Sequence, residues 1–357
     1  MIKVAFVGDI MPGGMFFYEG GISEDVLDIL HQSDLRIGTL ETAMGDGHVL
    51  CHLKNTPELG TIIYSPDDTI SMLLNMNVNA VSLANNHACD CDLEGLYHMM
   101  ELLDQHGITH FGAGHNAEEA ARPGVLEVGG KTICLLGYLK EYSYFYRGEG
   151  YVPTETVGGI NLYNFSKAKA DVKKYKAQFD YVFVMPHWGK EGSLYPIMQE
   201  VKEARTLVEA GADGVIASHA HIVQPIVHYK KGIIAMNLGN FAFPDRYIDK
   251  PRITVYPSKN DIQKESIPQV ESFKIVDCLT YKKVAEPERK GTILQLNIKG
   301  KTIKKQQYFT KLVESNVVER RKKIAMKEML LLNYVGLFIK DKTSILHKVH
   351  NKLISIR

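Results

Sequence analysis

Short apolar runs, each broken off by a polar residue, alternate along this chain with segments of helical period. Ile2–Val7, Leu35–Leu40, Asn79–Leu83, Ile133–Tyr138, Tyr181–Met185, Val215–Ala217 and Ile233–Met236 read as buried strands. Between them lie helical patterns at 23–31, 65–76, 92–105, 165–179 and 197–210. Strand and helix in alternation predict an α/β fold. Ser23 before two acids, and Ser65-Pro66-Asp67-Asp68, are helix starts; Gly107 and Gly211 are helix stops. Thr292–Ile298 alternates like an edge strand of the same core, and from about Lys311 the pattern turns helical. The expected division is a domain over 1–310, with 246–289 as an insertion or lid of weak periodicity, followed by a basic helical tail over 311–357.

Six of the strand ends carry side chains that bind metals or move protons. They are Asp9, Glu41, Asn86-His87, His187, His219-Ala220-His221 and Asn237/Asn240. In open α/β sheets the carboxyl ends of strands form the functional edge. In extended backbone residues i and i+2 point the same way, so His219 and His221 can face one point and make half a transition-metal site. Each residue also has a plainer reading. Asp9 can form a turn after Gly8, Asn86 can occupy a left-handed turn, and His187 can cap a helix or stack on Trp188. A shared site accounts for all of them at once. Carboxylate, amide and imidazole together suit Mn, Zn or Fe better than Ca or Mg.

At 45% hydrophobic and 23% charged the chain can bury a large core, and its net charge of +1 argues against nucleic acid as a partner. That balance hides an asymmetry. Lys299–Arg357 holds 15 Lys and Arg against 4 Asp and Glu, about +11, which leaves 27 against 37, about −10, for the remainder. Around Met329–Ile339 the basic residues suit an interfacial helix on anionic lipid, though a helix docked on the core fits the same pattern. The N-terminus enters a strand pattern directly, without a signal peptide, and no apolar run reaches the ~18 residues of a spanning helix. A cytoplasmic setting is expected, with the tail helix docked on the core or, as the alternative, in peripheral contact with the inner face of the membrane. The five cysteines show no disulfide framework. Cys89 and Cys91 could add soft ligands, but Asp90 or Asp92 capping the next helix explains that segment more simply. Tyr142, Tyr144, Phe145, Tyr146 and Tyr151 crowd a loop that either lines a groove or covers the core.

Gly8-Asp-Ile-Met11, Leu40-Glu-Thr42, Ala84-Asn-Asn-His-Ala88, Gly112-Ala-Gly114, His187-Trp-Gly-Lys-Glu191, Ser218-His-Ala-His221 and Asn237-Leu-Gly-Asn-Phe241 resemble, in order and spacing, the CapA family of bacterial capsule, or poly-γ-glutamate, biosynthesis proteins. That family is itself similar to the calcineurin-like metallophosphoesterases. The resemblance implies a four-layer sandwich of two mixed β-sheets flanked by helices. It implies one or two divalent ions: Asp9, Glu41 and His221 at the first, and Glu41, Asn86, His187 and His219 at the second. His87 would be the acid that protonates the leaving group. Trp188, Glu191 and Asn240 are candidate substrate contacts; Trp188 could equally pack in the core, and Glu191 could support an imidazole.

Two departures from the phosphoesterase pattern stand out. Met11 occupies the place of a first-motif histidine, and a thioether is a poor ligand for a hard catalytic metal. Glu41 replaces a shorter aspartate. The second position is therefore the complete one. The resemblance implies a metal-dependent hydrolase, with activated water attacking a phosphoester or amide bond in a polymer or a small phosphorylated or γ-glutamyl substrate. The alternative is a non-catalytic subunit that holds polymer or a capsule synthase partner.

Overall fold

The computed structural model describes residues 1–45, 61–140, 151–250, 252–264, 267–271 and 275–321. Two mixed sheets carry the chain. The nine-stranded sheet is centred on Ile2–Ile10, which pairs in parallel with Leu35–Leu40 and antiparallel with Lys290–Lys299. Ala80–Ser82 and Thr109–Phe111 extend it on one side, Thr302–Leu312 and Val317–Arg320 on the other. The seven-stranded sheet is centred on Tyr181–Trp188, parallel to both Lys131–Leu139 and Gly214–Ile216.

Strand periodicity sorts the core into three layers. Val4 and Phe6 point into the space between the sheets, where they meet Ile133, Leu135, Phe183 and Met185; the Phe6 and Phe183 rings lie 5.0 Å apart. Ala5 and Val7, one residue out of phase, pack with Leu27, Leu30, Met99 and Leu103 of helices Glu24–His31 and Asp92–Gln105. On the other sheet Cys134, Leu136, Val182 and Val184 pack with Val172, Ala204 and Leu207 of helices Phe165–Lys176 and Met198–Ala210. The order is helix, sheet, sheet, helix, as expected, because each strand is apolar on both faces and both must be covered. Each fully buried Leu, Ile or Phe contributes about 1.5–3 kcal/mol.

Two expectations are corrected. Lys290–Lys299 is an interior strand rather than an edge, held between Ile2–Ile10 and Thr302–Leu312. Its alternation mimics an edge because Gln295 is polar, but that amide is buried and donates to Ser33 Oγ at 2.9 Å. The expected helical pattern after Lys311 is strand through Arg320, since Leu312 and Val318 both enter the core. Segment 246–289 contains a four-stranded sheet of its own: Arg246–Asp249, Ile253–Val255, Gln269–Val270 and Thr280–Lys282. The tail beyond residue 321, the aromatic residues 142–146 and Cys51 lie outside the described residues; Tyr151 is buried in the core. No described helix is long and apolar enough to cross a membrane.

Candidate metal centre

The carboxyl ends of both sheets meet at one place. Asp9 lies near the end of Ile2–Ile10, Glu41 directly follows Leu35–Leu40, and Asn86 and His87 follow Ala80–Ser82. His187 ends the central strand of the second sheet, and Ser218–His219 pairs beside it, with His187 opposite Ser218. Asn240 is the register partner of Asp9. That approach needs Gly8, where an added Cβ would stand 1.8 Å from the Gly239 carbonyl oxygen. Asp9, Glu41, Asn86, His187, His219 and His221 are all buried. So many polar side chains leave water together only when something inside replaces it.

Four donor atoms converge on the second-sheet side. His187 Nε2 stands 2.8 Å from Asn86 Oδ1, 3.1 Å from His219 Nδ1 and 3.3 Å from Glu41 Oε1. Nitrogen ligands about 2.0–2.1 Å from a tetrahedral ion are themselves separated by about 3.3 Å, so these atoms are spaced as ligands are. The Ser218 hydroxyl lies 2.9 Å from His187 Nδ1. With the Nδ1 proton donated there, Nε2 turns a lone pair towards two oxygens that are acceptors too. A cation at their centre resolves that clash.

On the first-sheet side the ligand atoms of Asp9, Glu41 and His221 lie within 4.8 Å of one another. His221 Nδ1 is 2.8 Å from Asn240 Oδ1 and 3.5 Å from Asp9 Oδ2, and its Nε2 is 3.7 Å from Glu41 Oε1. Among the described residues no hydrogen-bond donor reaches Asp9 Oδ1 or either Glu41 carboxylate oxygen. Glu41 belongs to both donor sets. Orphaned, fully buried carboxylate oxygens fit a cation between them. Both residue sets therefore fit divalent transition ions, the four-donor set more completely.

The electrostatics differ between the two sides. Burial pushes His187 down to about 3 and His219 well below its usual value, with neighbouring histidine charge adding to both. Both imidazoles are neutral, the form that binds metal. His221 goes the other way: burial opposes its charge, but Glu41 and Asp9 raise it well above the usual histidine range. Burial and the charge of Asp9 raise Glu41 well above the usual carboxylate range. Asp9 itself is held low although burial opposes this, chiefly through His221.

His219 and His221 share the centre by a route other than the extended backbone expected. Both occupy left-handed conformations, φ 95° and 56°, which cost a non-glycine residue about 1–3 kcal/mol each. Their rings lie 6.2 Å apart and serve different donor sets. His87 is buried near the centre, its charge acting on His187 and His219, with Nδ1 2.6 Å from Asp90 Oδ2. Asp90, expected at most to cap a helix, is instead fully buried and also accepts the Ile63 N–H. Its position three residues after His87 was the available signal, and Ser218 next to His219 left none.

Trp188 is corrected. It faces away from His187, as alternate strand residues must, and is fully buried with Val201 and Leu207 under the helices. Its ring meets Tyr163 at 5.3 Å and Lys140 Nζ at 5.8 Å, so no substrate can stack on it. Asn240 holds His221. Half-buried Glu191 lies close enough for its charge to act on Glu41 and His221. Met11 is buried in the apolar layer against the helices, and Cys89 and Cys91 belong to neither donor set.

The family model described as bacterial capsule synthesis protein PGA_cap matches residues 3–245. The PGA biosynthesis protein CapA of Bacillus subtilis (strain 168) is 26% identical over 255 residues, covering 68% of this chain and 63% of that protein. The capsule biosynthesis protein CapA of Bacillus anthracis is 30% identical over 257 residues, covering 68% and 60%. The chain thus spans about three fifths of the length of these relatives. Among solved structures, a 5′-nucleotidase from Candida albicans SC5314 aligns at 11% identity over 99% of this chain and 56% of that one, with a TM-score of 0.42. Every donor from Asp9 to Asn240 falls inside the matched span, and the chain belongs to the bacterial capsule synthesis protein family PGA_cap.

Proposed function

We propose that this chain is a metal-dependent hydrolase acting in the making of a capsule or poly-γ-glutamate-like polymer, cleaving a phosphoester or amide bond. The convergence of Glu41, Asn86, His187 and His219 within 3.3 Å of one nitrogen carries the reading. These four residues would hold one ion, and Asp9, Glu41 and His221 a second. A divalent Mn, Zn or Fe ion bound there supplies Lewis acidity and lowers the pKa of a water towards neutrality.

The protein's own groups do the rest. Ser218 and Asn240 take the Nδ1 protons of His187 and His221 and so fix which nitrogen faces the centre. Asp90 accepts the Nδ1–H of His87, so that the doubly protonated ring would be the general acid, giving its Nε2 proton to the leaving atom and keeping its Nδ1–H bonded to Asp90. The relatives' names, PGA and capsule biosynthesis, support a polymer as substrate or a polymer synthase as partner. The basic residues after Lys299 suit contact with anionic lipid.

A second reading, a subunit that holds polymer or a synthase without cleaving it, draws on Met11, which lies in the apolar core and leaves the first-sheet set with three donors. The test is elemental analysis of purified protein, followed by hydrolysis assays with added Mn²⁺ or Zn²⁺ on phosphodiesters and γ-glutamyl peptides. Metal-dependent turnover that disappears in His219→Ala is expected. Silence in the wild type, unchanged by His219→Ala, would leave the binding role.

A further inference from the structure

Asn85 directly precedes Asn86 and His87, and its side chain is fully buried. Both ends of its amide are bonded to backbone. Nδ2 donates to the Leu40 carbonyl at 2.8 Å, and Oδ1 accepts the His87 N–H at 3.0 Å. These partners fix which way the amide points, because a flip would set oxygen against oxygen and N–H against N–H.

The two bonds differ in kind. The one to His87 spans two residues and is an Asx turn, a local bond that asparagine makes in many bends. The one to Leu40 crosses 45 residues and joins two strand ends. Leu35–Leu40 and Ala80–Ser82 pair in parallel as far as Thr39 opposite Ser82. Past Ser82 the chain leaves the sheet for the turn that carries Asn86 and His87, and the Asn85 amide carries the link between the two segments one step further.

Metal donors lie at either end of this link. The peptide group between Leu40 and Glu41 is held on both sides, its carbonyl by Asn85 and its N–H by the Ile10 carbonyl at 2.8 Å. The peptide group between Asn86 and His87 is held by the same amide. Glu41 Oε1 and Asn86 Oδ1 then stand 3.3 and 2.8 Å from His187 Nε2. Two donors from different strands can close on one ion only if their backbones keep a fixed separation.

We propose that Asn85 is a positioning residue of the metal centre: its amide sets the spacing between Glu41 and Asn86, and through it the affinity for the ion. This rests on the metal-binding reading of that centre, not on its hydrolytic activity. The experiment titrates metal-free protein calorimetrically with Mn²⁺ and with Zn²⁺, alongside its melting temperature. Asn85→Ser keeps an acceptor for the His87 N–H, since a serine hydroxyl closes the same kind of turn, but its side chain is too short to reach Leu40. Gln295→Ala is the control. It removes another buried amide, one that donates to Ser33 Oγ at 2.9 Å from a strand position opposite Ala5. Both variants are expected to melt below the wild type. Only Asn85→Ser is expected to lose metal affinity, by about 10- to 100-fold.

A residue kept only to form the turn would tolerate serine. Asn85→Ser that binds both ions within about twofold of Gln295→Ala therefore overturns the role. Should Asn85→Ser not fold, Asn85→Asp decides. It keeps the turn and the shape but not the donor, and its added charge alone would favour a cation. Binding weaker than the wild type then supports the role, and binding as tight or tighter overturns it. A wild type that takes up neither ion overturns the metal centre and this role with it. Protein that binds metal but hydrolyses nothing sinks the hydrolytic reading and leaves the role standing.

Discussion

The two sides of the candidate metal centre share carboxylate and imidazole donors yet are held in opposite ways. On the second-sheet side the imidazoles of His187 and His219 are neutral and 3.1 Å apart, and His187 Nε2 lies within 3.3 Å of an amide and a carboxylate oxygen. On the first-sheet side Asp9 and Glu41 press their charge on His221, at 3.5 and 3.7 Å, and raise it well above the usual range. On one side the imidazoles are already in the form that binds metal. The other satisfies itself with a proton, which an incoming ion must displace. Similar donors therefore predict unequal affinity, because protonation of the imidazole competes with metal at one set, whereas burial prevents that competition at the imidazoles of the other.

Removing ligands is the strongest way to break this contrast. His187→Ala should lose the tighter ion outright, and with it all metal-dependent turnover, whereas His221→Ala should keep about one equivalent by elemental analysis. Equal losses from both variants would show that the halves fill as one unit. A smaller effect is expected at His87 and Asp90. His87→Asn should retain its metal and lose about 10²- to 10⁴-fold in turnover, and Asp90→Asn about 10- to 100-fold. Metal loss in His87→Asn would make it a ligand rather than an acid.

The smallest effect is the pH dependence of the metal-free protein. His187 has a folded value of about 3 against an ordinary 6.5. Its stabilisation is therefore complete above pH 6.5 and is lost as pH falls from there towards 3. His221, raised instead, stabilises fully below 6.5, and that contribution fades as pH rises through its folded value. Melting temperatures of His187→Ala and His221→Ala should accordingly diverge from the wild type on opposite sides of neutrality. Parallel pH profiles for both variants would remove the electrostatic distinction between the halves.

The donor list was legible because each donor sits where an apolar run stops, and a polar residue there has few other uses. Asp9, Glu41, Asn86, His187, His219 and His221 were all found that way, and they meet in one buried cluster. What supports them was less legible. Ser218 is an ordinary small polar residue in the chain, and only strand pairing puts it beside His187. Asp90 looked like a helix cap because caps share its residue type and setting. Trp188 looked available because it adjoins a ligand, but a strand sends neighbours to opposite faces.

Composition and period alone determined an α/β alternation of apolar strands and amphipathic helices, with polar residues at the strand ends; the arrangement in two sheets came only with the family resemblance. Hydrophobic burial enforces the alternation, and it depends on local pattern. The tertiary structure alone decided how the donors divide between two sets, which nitrogen of each histidine faces the centre, and which side chains support them. Those are matters of ångströms between residues distant in sequence, and electrostatics in a dry interior changes steeply over such distances.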